Sequence, residues 1–296
     1  MNNNIFVSIV MPTYNCKKYV GLAIESIQNQ TFQNYEFIIV DGHSTDGTLE
    51  ILEKYSVTDK RIKIILDDAK GIGAALRLGC SLTKGNYIAR MDSDDIAYPE
   101  RLEKELDFLE HHPEYFLVSS SAEYIDSEGN SMGYSFPYTW QYLLNKNVRS
   151  ILHPGVLFRK SIYLKAGGYQ SIIRSEDYFL WNRMKQYGKM KVLQYPLMKY
   201  RITDEALSNT TTEHFENNLL SYFKPYILKK ELQENDILIL NNLIRNNIKQ
   251  STTSARNPVR HSEMMVLRVL NYVVSRETAY KVVFFMKNVY GLFFRR

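Results

Sequence analysis

The chain contains little cysteine and no long uninterrupted hydrophobic run. Each of these features restricts the classes of protein to which the chain can belong. Its 296 residues include two cysteines, Cys16 and Cys80, and neither belongs to a CxxC pair. This pattern suggests neither a zinc site nor a disulfide framework and is typical of reduced cytosolic thiols. No stretch reaches the roughly 18–20 apolar residues that a membrane-spanning helix needs. The opening residues MNNNIFVSIVMP lack the basic start and the long apolar segment of a signal peptide. We therefore expect a cytoplasmic protein.

Two phosphate-binding fingerprints are absent as well. The stretch GIGAALRLG at 71–79 has the wrong spacing for GxGxxG, and no glycine-rich turn follows the first predicted strand. No GxxxxGK followed by Ser or Thr occurs. These absences weigh against a hydride-transfer enzyme and a nucleoside triphosphatase. The composition is that of a globular protein, with 45% hydrophobic residues, 23% charged residues and a net charge of +5. This mild basic excess allows a polyanionic partner or an anionic membrane surface but requires neither, and we expect no nucleic-acid partner.

The first hundred residues alternate between strand and helix signals. Short β-branched apolar runs predict four buried strands, at 5–12, 35–41, 61–68 and 86–92. Apolar residues at helical spacing predict three helices between them, at 17–30, 44–55 and 70–85. This alternation predicts an α/β fold in which a mostly parallel central sheet carries helices on both faces. Ligands bind to such sheets beyond the carboxyl ends of the strands.

Acidic residues follow three successive predicted strands. Asp41 follows the second strand, Asp67 and Asp68 follow the third, and the DSDD stretch at 92–95 follows the fourth. One acid at a strand end is most often a turn or cap residue. Parallel strands, however, bring all three ends to one edge, where the carboxylates would repel without a cation or hydrogen-bond donors. Mg²⁺ and Mn²⁺ prefer oxygen ligands and can neutralise a departing diphosphate. The sequence therefore predicts a Mn²⁺ or Mg²⁺ site at this edge.

Four stretches occur in the order, and at about the spacing, found in inverting family 2 glycosyltransferases. They are SIVMPTYNC (8–16), QTFQNYEFIIVDGHSTDGT (30–48), KGNYIARMDSDDIAYPERL (84–102) and SEDYFLWNRM (175–184). The chain resembles bacterial members that build polysaccharide and lipid-linked glycans. The resemblance implies a GT-A fold, with a catalytic domain at 1–205 followed by a helical extension at 206–296.

The resemblance also implies a nucleotide-sugar donor, expected to be UDP-linked. The residues Pro12, Thr13 and Tyr14 match the first-strand loop, whose backbone and ring lie against the base. Asp41 matches the acid that hydrogen-bonds the base. The DxD motif is matched by Asp92, which would face the ribose and the metal, and Asp94, which would ligate the metal between the phosphates.

Other polar residues near these motifs have open alternatives. Asp68 matches an acid at the third strand end, and Asp95 reads equally as a turn or cap residue. Arg77 stands where relatives often carry an asparagine near the nucleotide, so it could reach a phosphate or face solvent. Arg201 matches a YR segment, where arginine suits a diphosphate through its bidentate fork; the alternative is a surface charge. Asp46 is interpreted as a helix-start residue.

The same resemblance places the catalytic base in SEDYFLWNRM. Its acidic pair, Glu176 and Asp177, precedes an aromatic-rich helix, and the aspartate is the residue that would face the acceptor. Inverting transfer needs one carboxylate to take the proton of the acceptor hydroxyl. The alternative is a helix N-terminus that favours acids, which is compatible with catalysis. His153 resembles a histidine on the acceptor side of the pocket; the alternative is a packed or capping histidine.

The tail from residue 206 has a different character. It predicts two helices within 217–250, a linker at 250–258 and a basic amphipathic stretch at 261–296. Such basic helices can lie in a membrane interface. The implied acceptor is a glycan or a lipid-linked acceptor, so we expect peripheral association with the anionic inner face of the plasma membrane. A helical cap and a homodimer surface are the alternatives.

Three other functions fit the sequence less well. A sugar nucleotidyltransferase would carry a glycine-rich basic loop after its first strand, and MPTYNCKKYVG lacks the glycines. A non-catalytic nucleotide- or carbohydrate-binding protein could retain the fold, but the intact DSDD and SED stretches argue against it. A haloacid-type phosphatase would carry DxDxT after its first strand, and that motif is missing.

Overall fold

The computed structural model describes residues 6–68, 71–134, 151–203, 226, 229 and 232–251. Within these residues nine strands form one mixed sheet. In chain order the strands are β1 Val7–Thr13, β2 Tyr35–Asp41, β3 Ile62–Leu66, β4 Tyr87–Arg90, β5 Ile96–Ala97, β6 Tyr115–Ile125, β7 Ser131–Tyr134, β8 Leu157–Arg159 and β9 Lys189–Arg201. The helices are α1 Val20–Gln28, α2 Thr48–Thr58, α3 Ile72–Ser81, α4 Arg101–His111, α5 Lys160–Lys165, α6 Glu176–Met184 and α7 Glu234–Ser251.

The predicted alternation of the first hundred residues is confirmed. The four predicted strands are β1 to β4, and they pair in parallel in the order β3-β2-β1-β4. The three predicted helices are α1 to α3. The carboxyl ends of β1, β2 and β4 therefore lie side by side, as the sequence predicts.

The second half of the sheet is mixed. Strand β8 pairs antiparallel with both β4 and β6, and β6 then pairs in parallel with β9. The short strands β5 and β7 run antiparallel to β9 and β6. Strands β6 and β9 therefore run in the same direction as β4. The end of β9 lies beside the DSDD turn that precedes β5.

Helices cover both faces of the sheet, as predicted. Alternate residues of β1 point to opposite sides: Val10 packs with Leu76 of α3 and Trp181 of α6, whereas Ile9 packs with Ile24 of α1. Helix α3 lies very close to the sheet, because a Cβ at Gly79 would stand 2.5 Å from a methyl group of Val10. Both cores are apolar, so burial of this surface fixes the edge that carries the acids.

In the tail, the structure describes helix α7, which corresponds to the second predicted helix. Leu240 of α7 is fully buried, in the same core as α3 and α6. The proposed domain boundary at 205/206, the other predicted tail helix and the basic stretch at 261–296 lie outside the described residues. Within the described ranges, none of the helices combines the length and the apolar content needed to cross a membrane.

Candidate active site

The first cluster of acids lies in the turn after β4. Asp92, Asp94 and Asp95 bring one carboxylate oxygen each within 4.8 Å of one another. Burial and the neighbouring Asp92 charge raise the pKa of Asp94 to about 6, despite the opposing charges of Arg90 and Arg201. Three crowded oxygens whose charge the protein leaves incompletely balanced fit a hard divalent cation.

Asp95 has a structural role in this cluster. It is buried, and its Oδ1 accepts a hydrogen bond from the backbone N–H of Arg201 at 2.8 Å. Burial first, and then the charge of Asp94, raises the pKa of Asp95 well above its ordinary value. Asp95 therefore joins the DSDD turn to the end of β9.

Arg90, which the sequence interpretation missed, lies beneath this cluster. Its guanidinium contacts both oxygens of Asp92, at 2.7 Å and 2.5 Å, and its side chain is only 3% exposed. Its Nε is buried and has no hydrogen-bond partner among the described residues. The available signal was an arginine at the end of a buried strand, two positions before the DxD motif. A buried arginine in that place needs a carboxylate partner.

The second cluster consists of His153, Glu176 and Asp177, whose ligand atoms also lie within 4.8 Å of one another. The structure thus brings His153 beside the acidic pair, which lies more than twenty positions later in the sequence. His153 begins a short 3₁₀ turn before β8, and Glu176 begins α6. Ser175, just before Glu176, has a φ of 60°, a left-handed conformation that is uncommon outside glycine.

Within the second cluster Glu176 is buried and His153 and Asp177 are half-buried. Loss of water contact is the first cause of the pKa shift of each of these residues. Burial, and next the charge of Asp177, raises the pKa of Glu176 to about 8, so Glu176 is largely protonated at neutral pH. Burial also raises the pKa of Asp177. Burial and the positive charge of Arg90 hold the pKa of His153 well below its usual value.

Polar and aromatic contacts fix the neutral His153. Its Nδ1 lies 3.4 Å from Glu176 Oε1, and its Nε2 lies 2.7 Å from the Tyr169 hydroxyl. The ring of Trp181 meets the imidazole edge-on at 5.9 Å. His153 is therefore both a packed histidine and a member of the acid cluster, so the two interpretations of the sequence are compatible.

Arg90 lies between the two clusters. It forms the ion pair with Asp92, and its charge also acts on Glu176 and Asp177. One buried cation thus serves acids on both sides of the site.

The predicted nucleotide side is built from local turns. Asp41 is fully buried, and its two oxygens accept hydrogen bonds from the backbone N–H and the hydroxyl of Ser44, at 2.8 Å and 2.7 Å. Thr13 is buried, Pro12 is half-buried, and Tyr14 is 64% exposed, with its ring next to Gly42. These residues form one edge beside the DSDD turn.

Two residues of these loops adopt strained backbone conformations. Asn15 has a φ of 47° and His43 a φ of 60°. Together with Ser175 they are the three non-glycine residues with positive φ in the described part of the chain, and all three adjoin predicted site residues. Such strain clusters at functional sites, because it persists only where the surrounding structure fixes it.

Asp68 and Asp46 differ in their surroundings. The side chain of Asp68 is 99% exposed and pairs with His43 Nε2 at 2.8 Å, so it lies on the outer side of the nucleotide edge. Asp46 accepts hydrogen bonds from the backbone N–H and the hydroxyl of Thr48 at the start of α2. The helix-start interpretation of Asp46 is confirmed.

The two predicted phosphate-side arginines are placed differently. Arg201 is buried, so the surface-charge alternative is wrong; its Nε donates to the carbonyl of Asp94 at 2.8 Å, and it stacks 4.3 Å over Tyr19. Its Nη2 is buried without a hydrogen-bond partner among the described residues. Arg77 is half-buried on α3, near enough to Tyr163 for its charge to act on that phenol.

Comparison with known proteins identifies the class that this fold and this site define. The family model for glycosyl transferase family 2 matches residues 8–165, and the chain belongs to this family. EpsE of Bacillus subtilis is 34% identical over 229 residues, covering 75% of this chain and 82% of EpsE. The O-antigen biosynthesis glycosyltransferase WbnJ of Escherichia coli is 30% identical over 235 residues, covering 76% of this chain and 89% of WbnJ. The chain is therefore a glycosyltransferase.

Solved structures show the same fold. TarS of S. aureus, in complex with UDP-GlcNAc, matches with a TM-score of 0.63 at 20% identity, covering 90% of this chain and 80% of that chain. The mannosyltransferase PcManGT of Pyrobaculum calidifontis, in complex with GDP-Man and Mn²⁺, matches with a TM-score of 0.58 at 13% identity, covering 95% and 84%. The expected GT-A fold is confirmed.

Proposed function

We propose that this enzyme is a metal-dependent inverting glycosyltransferase that moves a sugar from a UDP-sugar to a hydroxyl group of a glycan or lipid-linked acceptor. Glycosyl transfer in polysaccharide biosynthesis follows from the family and its relatives. The donor base, the metal and the stereochemistry are the proposal. The observation that carries it is the pair of acid clusters, one in a polar turn and one in a buried pocket, with Arg90 between them.

The first cluster fits a divalent cation. Asp94 and Asp92 would hold Mn²⁺ or Mg²⁺, and the raised pKa of Asp94 supports this assignment because it reports an acid whose charge the protein leaves incompletely balanced. When bound, the ion supplies positive charge to the departing diphosphate. Arg201 supports the same end of the site, since its unpartnered Nη2 lies on a guanidinium that also contacts the DSDD turn.

The second cluster supplies the base. Asp177 takes the proton of the acceptor hydroxyl as that oxygen attacks the anomeric carbon, and the nucleoside diphosphate leaves with the bonding electrons. Two adjacent acids do not both ionise readily, and the pKa values of Glu176 and Asp177 are both raised. We assign the base to Asp177 because the family resemblance implies that the aspartate of the pair faces the acceptor. The raised pKa of Asp177 makes it a stronger base than a solvated aspartate.

The nucleotide edge would hold the base and ribose. The backbone of Pro12 and Thr13 and the exposed ring of Tyr14 suit a flat base, and Asp41 suits a base N–H. A UDP donor is supported by the TarS complex with UDP-GlcNAc. The mannosyltransferase complex with GDP-Man shows that the fold also serves a guanine nucleotide, so GDP-Man belongs in any test.

The test is nucleoside diphosphate release from UDP-Glc, UDP-Gal, UDP-GlcNAc, UDP-GalNAc and GDP-Man, with and without Mn²⁺. Wild type would be compared with Asp94→Ala and Asp177→Ala, and with Asp107→Ala, which removes an exposed acid of α4, as control. We expect one donor to turn over with metal and both site variants to lose turnover. If no donor is bound or cleaved and metal has no effect, the alternative of a non-catalytic binding protein replaces this proposal.

We further propose that the enzyme works at the cytoplasmic face of the membrane, where a lipid-linked acceptor would be presented. The sequence of 261–296 supports this, because its basic amphipathic pattern suits an anionic interface. The full chain should sediment with vesicles that contain phosphatidylglycerol and remain in solution with vesicles of phosphatidylcholine alone. Equal behaviour with both, together with a dimeric mass in solution, would favour the homodimer surface instead.

A further inference from the structure

Helix α7 lies outside the residues that the family model matches, yet it contacts the segment that leads to the acidic pair. The family match ends at residue 165, whereas α7 spans Glu234–Ser251. Residues 170–175, called here the 170–175 segment, run directly into Glu176 at the start of α6. The orientation of this segment therefore sets where the acids point.

Asn241 of α7 hydrogen-bonds the backbone of the 170–175 segment. Its Oδ1 accepts a hydrogen bond from the N–H of Ile173 at 2.9 Å, and its Nδ2 donates to the carbonyl of Ser171 at 3.4 Å. Just before α7, the N–H of Leu232 donates to Gln170 Oε1 at 3.2 Å. The tail thus makes three polar contacts, to Gln170, Ser171 and Ile173.

Apolar burial holds the same contact together. Leu232 and Leu240 are buried in the core that also contains Ile172 and Trp181. Because Asn241 directly follows Leu240, burial of the leucine brings the asparagine to the backbone of the segment. The contact combines burial with hydrogen bonds to two main-chain groups of the segment.

The opposite side of the segment packs against α3. A Cβ at Gly73 would lie 2.6 Å from the carbonyl oxygens of both Gln170 and Ile172, so only glycine permits this approach. The segment is therefore held between α3 and α7. At its end, Ser175 adopts its left-handed φ of 60°, a conformation that persists where surrounding contacts fix it.

We propose that Asn241 is a positioning residue, which holds the 170–175 segment so that Glu176 and Asp177 face the acceptor. This inference rests on the proposed function, because it relies on the catalytic role of the acidic pair. A displacement of about 1 Å in a catalytic group can lower the rate by about a hundredfold. Helix α7 is then part of the catalytic apparatus.

Three variants test this role. Asn241→Ala removes both side-chain hydrogen bonds, Asn241→Asp keeps an oxygen that accepts from Ile173, and Asn242→Ala removes an exposed neighbour on the same helix as the control. The measurements are hydrogen–deuterium exchange of the 170–175 segment, kcat for hydrolysis of the sugar nucleotide that wild type cleaves, and the Kd of UDP with Mn²⁺. Thermal melting checks that each variant is folded.

We expect Asn241→Ala to exchange faster in the 170–175 segment and to lose at least tenfold in kcat, with the Kd of UDP changed less than twofold. Asn241→Asp should recover most of the lost kcat, and Asn242→Ala should match wild type. Unchanged exchange, unchanged kcat, or an equal loss of UDP affinity in Asn241→Ala would overturn the inference. A wild type that neither binds UDP nor cleaves any donor would show instead that the proposed function has failed, and the inference would fall with it.

Discussion

Two parts of the site hold their acids in different ways. The predicted nucleotide edge consists of Pro12, Thr13, Tyr14 and Asp41, and the acceptor-side cluster is the second cluster, of His153, Glu176 and Asp177. On the nucleotide edge, Asp41 accepts hydrogen bonds from the backbone N–H and the hydroxyl of Ser44, three positions away. In the acceptor-side cluster, Glu176 contacts His153, which lies more than twenty positions earlier in the sequence. The ring of Trp181 packs edge-on against the imidazole. Local donors satisfy the carboxylate of Asp41, whereas burial raises the pKa values of Glu176 and Asp177.

This difference assigns different chemistry to the two sides. A carboxylate held by local hydrogen-bond donors suits the recognition of a polar nucleotide, and the crowded DSDD turn suits a cation. A buried pair with raised pKa values suits proton transfer near neutral pH. Arg90 links the two, because its one charge pairs with Asp92 and also acts on Asp177.

The largest effect is expected for Asp177, whose substitution should lower turnover without weakening donor binding. Asp177→Asn removes the proposed base, so we expect kcat for transfer or donor hydrolysis to fall by about 10²–10⁴-fold, the range for a general base. Since Asp177 belongs to the acceptor-side cluster, the affinity for UDP with Mn²⁺ should remain that of wild type. Steady-state kinetics and calorimetry of UDP binding check both parts. Full activity in Asp177→Asn would assign the base elsewhere.

The second largest effect is expected for Arg90, whose substitution should affect both the first and the second acid cluster. Arg90→Met removes the cation from Asp92 and from the acidic pair. We expect kcat/KM to fall, because the loss of this buried charge partner leaves these carboxylates uncompensated. The acidic limb of the pH profile of kcat should move to higher pH, because the charge of Arg90 lowers the pKa values of Glu176 and Asp177. Arg90→Lys should keep the wild-type limb while losing the bidentate contact. An unshifted limb in Arg90→Met would contradict the link between the sides.

A smaller effect is expected at Glu176. This residue is already largely protonated at neutral pH, with a pKa of about 8, so Glu176→Gln changes little of its charge. We expect kcat to fall by no more than about tenfold, well below the effect of Asp177→Asn at the same pH. The two variants should be assayed side by side at pH 7. An equal loss in both would show that the pair acts as one unit.

The smallest effect concerns stability. Folding raises the pKa of Glu176 from 4.5 to about 8, so between these values the folded protein keeps a proton that the unfolded chain releases. The free energy of unfolding should therefore fall as pH rises across this window. Urea unfolding at several pH values should show a shallower decline in Glu176→Gln. Parallel curves for the two proteins would mean that the pKa of Glu176 is ordinary.

The sequence predicted most of the nucleotide half and less of the acceptor half. Strands β1 to β4 follow one another along the chain, and each ends at a turn. Their alternation of faces can be seen in neighbouring residues such as Ile9 and Val10, which belong to opposite cores. The pairing of β6 with β9 joins residues about seventy positions apart, and no local pattern encodes it. Resemblance to the family could name Asp177, but only the packed core shows that it lies beside His153.

Arg90 and Asn241 mark the limit of sequence reasoning. Arg90 lies two positions before the DxD motif, so it was visible in the sequence. Its effect on the two clusters depends on its burial, which only the structure shows. Asn241 lies in an asparagine-rich stretch where its neighbour Asn242 looks identical by composition. Only the face of α7 that packs on Ile172 and Ile173 distinguishes the two.

The measurement that tests the account most directly is Mn²⁺-dependent binding of UDP, by calorimetry, to wild type, Asp94→Asn and Asp177→Asn. The division of the site into a donor side and an acceptor side predicts that Asp94→Asn loses this binding and that Asp177→Asn keeps it while losing turnover. If both variants bind UDP as wild type does, or if wild-type binding is indifferent to Mn²⁺, the assignment of the DSDD turn as the metal and donor site is wrong.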